Sequence, residues 1–364
     1  MDKKISILKD TFYKPNNEFA SFVQLGNELV SFNQPIYAGA FIITDKLENL
    51  FEFLNTHYSH RVLVTEGNFY LFEYPTKTKE HRLISYYYQD RNLLVCYGCE
   101  RKEIYYDCFR TLRRALSPKF ANIFLNTIDI RRTFDSIIRN NGADRITVRE
   151  YVSKGLIEDE KSVKEVKTNR EWTEEDYEEL FDELLENKRW LTSISIDLKS
   201  GHQKCNITIY RPGLFVCKRN FGLFVNVVLP HFFDRFEEGK GFFEKRSPET
   251  SLTMKSQPVI IEYKESVFID RQHNERLVDV LSRFQRASTS IIHVNPYVHV
   301  SLLDNSDGSS YDVWVLAADK ILINPKGRAT LDSMERLTNH ICEHFQEGYI
   351  KNIEDIKDLE IVYE

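Results

Sequence analysis

Two acid–lysine pairs end strand-like runs: Asp197-x-Lys199 closes SISIDLK, and Glu262-x-Lys264 closes VIIEYK. Residues two apart on a strand share a face. A carboxylate and a lysine so placed suit a metal-dependent, restriction-like nuclease. The acid holds the ion, and the lysine polarises the attacking water or the phosphate. This chemistry also needs an upstream acid on another strand, and none can be assigned. Glu262 and Lys264 are therefore carried as an alternative reading and not as the main one.

The stretch IIHVNPYVHVSLLDNSDGSSYDVWVL, residues 291–316, holds His293, His299 and the step Asn295-Pro296-Tyr297. The two histidines have the same parity, so one straight strand would present both on one face. Pro296 lies between them and breaks such a strand or puts it at an edge. Zinc needs three or four ligands in closed geometry. Asp304 is a candidate third, but it sits by DNSDGSS, which has the composition of a hairpin tip. Cys96-x-x-Cys99 with Cys108 lacks the second pair of a structural zinc site, and Gly98 between the first two fits a strand ending in a turn. Both stretches read as local structure before metal chemistry, so no metal or other cofactor is expected. No nucleotide-binding glycine loop, Gly-x-Ser-x-Gly or His-Glu-x-x-His occurs.

The basic residues form two sets. Arg101, Lys102, Arg110, Arg113, Arg114, Lys119, Arg131 and Arg132 are interleaved with Tyr105, Tyr106 and Phe109. Cations mixed with aromatics suit a surface that tracks a phosphate backbone and stacks bases. A solvated helix face with arginine stems lying over apolar surface explains them equally well. The second set is Arg283, Arg286, Lys326 and Arg328. The last two lie in NPKGRAT, a glycine loop before a helix, where free N–H groups suit an anion.

IYAGAFIITD, RVLVTEG, FYLFEYP, LISYYY and LLVCYG read as strands. Helical spacing follows over 103–124 and 130–140, with Asn141-Gly142 as a stop. Residues 153–170 are polar and lysine-rich and read as a linker, which puts a lobe boundary near 160. WTEEDYEELFDELLEN is an amphipathic helix capped by Thr173, with Asp176 three residues on. Its acids form either a solvated face or a docking surface. SISIDL, NITIY, LFVCKR, QPVIIEYK and KILINP are strands, and RPG at 211–213 is a turn. Helices are expected over 274–286, with Asn274 as cap, and over 331–345, ended by Gly348. The pattern predicts an α+β protein in two lobes, residues 1–160 and 161–364, the first mixed α/β and of unassigned role.

The chain has 364 residues, a net charge of -6 and 42% hydrophobic residues. Such a chain has ample core material and no overall basic coat, so free nucleic acid should bind weakly and through a local groove. There is no run of about 18 apolar residues. MDKKISILKDTFYK does not read as a signal peptide. The six cysteines are scattered, as in a reduced cytoplasmic protein.

The C-terminal order is PVIIEY, an amphipathic helix, the 291–316 stretch, ILINPKGRAT and SMERLTNHICEHFQEG. It resembles the APAZ region of short prokaryotic Argonaute systems over roughly residues 190–350. The likeness rests on Asn295-Pro296-Tyr297 with His299, on Asp307-Gly308-Ser309-Ser310, and on the helix ending Phe345-Gln346-Glu347-Gly348. It implies a fold similar to the N-terminal and linker domains of long Argonautes. It also implies a short Argonaute-like partner and a share in cradling a guide–target duplex, in defence against invading DNA. In that setting the 291–316 stretch is a hairpin whose Asn, Tyr and His residues hold the turn or face nucleic acid and partner. Relatives carry an effector domain, NAD-consuming or nuclease, ahead of this region. Residues 1–160 depart from that pattern and show no effector motif. The candidate nucleic-acid residues, from the first basic set and from the stretch that carries the resemblance, are Arg110, Arg113, Arg114, Arg283, Arg286, Asn295, Tyr297, His299, Lys326 and Arg328. A metal-dependent nuclease and a protein–protein adaptor docking through helix 173–187 are the alternatives.

Overall fold

The computed structural model describes residues 18–31, 34–57, 61–75, 80–98, 102–157, 160–169, 176–244 and 258–352. It is α+β, with two antiparallel sheets. The chain divides into two compact units, residues 1–154 with 165–237, and 155–164 with 238–364.

The first unit contains helix α1 (Glu18–Ser31), β1 (Ile36–Ile43), α2 (Leu47–His57), β2 (Arg61–Glu66), β3 (Phe69–Pro75), β4 (Glu80–Tyr88) and β5 (Leu93–Gly98). Then come α3 (Lys102–Leu116), β6 (Phe120–Asn122), α4 (Thr127–Arg139), β7 (Arg145–Ile157, in this unit as far as Lys154), β8 (Glu160–Asn169, in this unit from Glu165) and α5 (Asp176–Glu186). Strands β9 (Arg189–Ser200), β10 (Gln203–Tyr210) and β11 (Leu214–Arg219) follow. A helical turn (Phe221–Leu223) and a π-helical segment (Phe224–Val228) lead into α6 (Leu229–Glu244), which counts with this unit as far as Glu237. The strands form one sheet in the order β2-β3-β4-β5-β1-β11-β10-β9-β7-β8, with β6 pairing the far end of β1.

Strand β1 is central because its sequence, IYAGAFII, is apolar on both faces. Phe41 and Ile43 meet Leu47, Leu50 and Leu54 of α2 and Phe109, Leu112 and Leu116 of α3. On the other face Tyr97 packs between Phe22 of α1 and Phe221, with ring centroids 4.9 and 4.7 Å apart. Gly26 permits that approach: a Cβ there would lie 2.0 Å from the Phe221 ring.

Two sequence expectations fail here. Residues 153–170 are no linker among the described residues, because 145–157 and 160–169 are the strands β7 and β8. Nor does a boundary fall at 160. Strand β11 pairs with β1 in register Ile36↔Cys217 to Gly39↔Leu214, so residues beyond 189 belong to the same sheet as the first strands. The lysines of β7–β8 gave a strand pair the composition of a loop.

The second unit contains β12 (Val259–Glu262), α7 (Arg271–Ser282), β13 (Ala287–His293), β14 (His299–Asp304), β15 (Ser309–Ala317), β16 (Lys320–Pro325), α8 (Leu331–His344) and β17 (Tyr349–Asn352). Sheet order is β13-β14-β15-β16-β12-β17. Alternation decides the faces. Val300, Leu302, Tyr311, Val313, Ile321 and Ile323 are buried, as are Leu277 and Leu281 of α7 and Met334, Leu337 and Ile341 of α8. Helix α7 begins three residues earlier than expected. Asp270 caps it through the His273 amide, 3.1 Å away. Asn274 instead lies inside the helix and donates to the carbonyls of Val294 and Pro296, at 3.0 and 3.4 Å. Gly348 is not a helix cap. A Cβ there would meet Ile261 and the Glu262 carbonyl, so glycine lets the chain close against β12 as it enters β17.

Candidate nucleic-acid interface

The 291–316 stretch is the β13–β14–β15 meander. His293 and His299 stand on neighbouring strands as direct cross-strand partners, not on one strand. The Asn295-Pro296-Tyr297 turn connects them, with a cis Asn295–Pro296 bond and Tyr297 exposed. The His293 ring meets Tyr297 edge to face at 4.7 Å. The His299 ring stacks on Trp314, its cross-strand neighbour, with centroids 3.8 Å apart and planes 19° apart.

This stack leads into a line of polar groups along β15. His299 Nε2 lies 3.5 Å from Asp312 Oδ2. Ser301 donates to Asp312 Oδ1 at 2.5 Å, and the Lys326 ammonium takes Asp312 Oδ2. Burial works to raise the Asp312 carboxyl, but its hydrogen bonds from Lys326 and Ser301 outweigh that and hold it below the usual carboxylate range. Trp314, Asp312 and Ser301 were not singled out in the sequence. The alternation in SSYDVWVL, which puts Asp312 and Trp314 on one face, is the signal that finds them.

Asp304 does not join the histidines. It has the opposite parity to His299, and its buried carboxylate accepts from Ser333, Arg336 and the Ser306 amide. The zinc reading loses its third ligand, and no group of three His, Cys, Asp or Glu residues able to hold a metal occurs among the described residues.

The basic residues expected to act together are divided. Asn295, Tyr297 and His299 mark one end of β14. At its other end Arg286 and Arg328 flank the turn Asn305–Gly308. The Asn305 amide donates to the Arg286 carbonyl, and a Cβ at Gly308 would meet Arg328 Cδ at 4.0 Å. Gly308 itself has a φ of +80°, as the tight turn requires. Arg283, at the end of α7, pairs with Asp279 at 2.7 Å. The N-terminus of α8 is not open to an anion as expected. Thr330 caps the Ser333 amide, and Asp307 bonds the Thr330 hydroxyl and the Ser309 amide.

Arg110, Arg113 and Arg114 lie on α3 in the first unit. The buried stripe of that helix is Cys108, Phe109, Leu112 and Leu116. Arg110 pairs with Asp107 at 2.6 Å, and Arg114 is exposed. Arg131 is held by Asp182 of the acidic helix α5. Cys99, Arg101 and Thr173 lie outside the described residues. Burial pushes the Cys96 thiol up to about 12, as suits a core side chain.

The two acid–lysine pairs are engaged elsewhere. Glu262 accepts from Lys351 and lies 3.4 Å from Lys320, while Lys264 is exposed. Asp197 takes Arg149 at 2.6 Å and Asn206 at 2.6 Å. Each carboxylate is already satisfied by neighbouring donors. No helix among the described residues is long and apolar enough to cross a membrane. No protein-family model and no curated protein matches the chain.

Proposed function

We propose that this protein is a non-catalytic scaffold that binds a short Argonaute-like protein and, with it, a guide–target nucleic-acid duplex in prokaryotic defence. One observation carries the reading. Within the stretch that resembles the APAZ region, residues 287–325 form a β-meander, with aromatic rings (His293, Tyr297, His299, Trp314) at one end and Arg286 and Arg328 around the turn at the other. Aromatic rings and arginines spaced along a strand suit contacts to bases and to phosphates. Sequence would then be read by base pairing and not by this chain. Lys326, ion-paired to the buried Asp312, contributes less free charge.

The test is purification from the native host at moderate salt, with identification of co-purifying protein and nucleic acid. An Argonaute-like protein with short guides is expected. A chain that comes alone and free of nucleic acid overturns the reading.

A further inference from the structure

A second basic surface lies in the first unit, around Lys199 of the Asp197-x-Lys199 pair. At the hairpin end of β9–β10, Lys199 and Lys204 are direct cross-strand partners, both exposed. The next pair inward is Asp197 and Asn206, and Arg219 of β11 stands across from Asn206. Alternation puts the first four side chains on one face, and a bulge at Lys218 of β11 sets Arg219 across from Asn206. Arg149 of β7 reaches the same face and holds Asp197 through Nε and Nη2, at 2.7 and 2.6 Å. Asp144 turns to the hairpin backbone, accepting from the Gly201 amide at 2.6 Å.

The two acids of this region are therefore already satisfied, while Lys199, Lys204 and Arg219 have no carboxylate within ion-pair distance among the described residues. Like charges directly opposite on a sheet destabilise it. A like-charged pair with a further cation placed diagonally on the next strand, opposite Asn206, adds nothing to the fold. It stands out more in a chain of net charge -6. Three uncompensated cations in a row across three strands complement a row of anions. We propose that Lys199, Lys204 and Arg219 form a phosphate-backbone contact for nucleic acid. The proposal rests on the nucleic-acid reading above and adds to it a site in the other unit.

The test compares the full chain with its Lys199→Gln/Lys204→Gln variant, using a labelled duplex and a labelled single-stranded oligonucleotide over a salt series. The slope of log affinity against log salt should fall by about 1.8 for duplex or about 1.4 for single strand, with binding several-fold weaker. The melting temperature should hold or rise, because the like-charge pair is relieved. Wild-type binding with an unchanged slope in the variant overturns this assignment and leaves the scaffold reading intact. If the wild-type chain binds neither oligonucleotide even at low salt, this assignment falls, while co-purification from the host decides the scaffold reading. If the variant keeps its oligonucleotide slope but loses a co-purifying acidic protein, the row serves that protein and not nucleic acid.

Discussion

Lys326 holds the carboxylate of Asp312 with an ammonium that remains 57% exposed, while the carboxylate is 2% exposed. The pair joins a buried acid on the sheet to a cation at its rim. Lys326 thus has a structural duty as well as a charge at the rim.

Removing Lys326 should damage the fold before it damages binding. Lys326→Gln leaves a buried carboxylate short of its main partner and should cost about 1–3 kcal/mol in urea unfolding. Asp312→Asn/Lys326→Gln should recover much of this. Equal losses in the single and double variants would show that the pair carries no such role.

The same pair sets an acid limb of stability. The folded Asp312 carboxyl lies below its unfolded value, so its contribution is full above the unfolded value, about 3.9, and is lost as pH falls through the folded one. Asp312→Asn should therefore lower stability near neutrality and lose less than wild type on acidification below about pH 4. Parallel pH profiles would contradict this.

Glu335 titrates in the opposite sense. Burial, with Asp332 nearby, pushes its carboxyl well up. A folded value above the unfolded one favours the folded state at low pH, and that advantage fades as pH rises above about 4.3. Glu335→Gln should match wild type near pH 4 and be more stable at pH 8, by a few degrees in Tm. A constant difference across that range would argue against a buried neutral acid.

Arg286 allows charge and fold to be separated. Its φ is +58°, a left-handed conformation that costs a side-chain-bearing residue roughly 1 kcal/mol and glycine little. Arg286→Gly should keep or raise Tm while weakening duplex binding by the assembled complex. Adding Arg328→Gln should lower the duplex salt slope by about 1.8 in total. Unchanged binding in the double variant would remove this turn from the interface.

Gly26→Ala tests the α1 contact in the first unit. Its Cβ would overlap the buried Phe221 ring, and overpacking of this kind costs about 1–3 kcal/mol. A Tm equal to wild type would mean that α1 shifts without penalty.

The local patterns were legible where apolar residues run unbroken or repeat at the period of a strand or helix. IYAGAFII, SISIDL and the α8 stripe Leu331, Met334, Leu337 and Ile341 each appear as elements in the structure. The hairpin β7–β8 was hidden because its lysines mimic a loop. The Phe-rich run 221–244 was passed over because the π-helical segment at Phe224–Val228 interrupts its helical period. At the candidate interface the residue types were visible, but their partners were not. Nothing in the linear order says that Asp307 fills the start of α8, or that Asp304 turns away from His299. Pairings across the sheet decide both.

The place of β1 between β5 and β11 has a consequence for synthesis. One side of this apolar strand finds its partner early, since β5 is made soon after it. The stretch Ile36–Gly39 must wait on its other side for Leu214–Cys217. At about 5–20 residues per second on the ribosome, the nascent chain would carry an unpaired apolar edge for many seconds. The second unit has no such delay on its β13–β16 meander, where each strand pairs with the one just made. Chaperone dependence and truncation damage should therefore concentrate on the first unit, whose sheet closes only when β11 emerges.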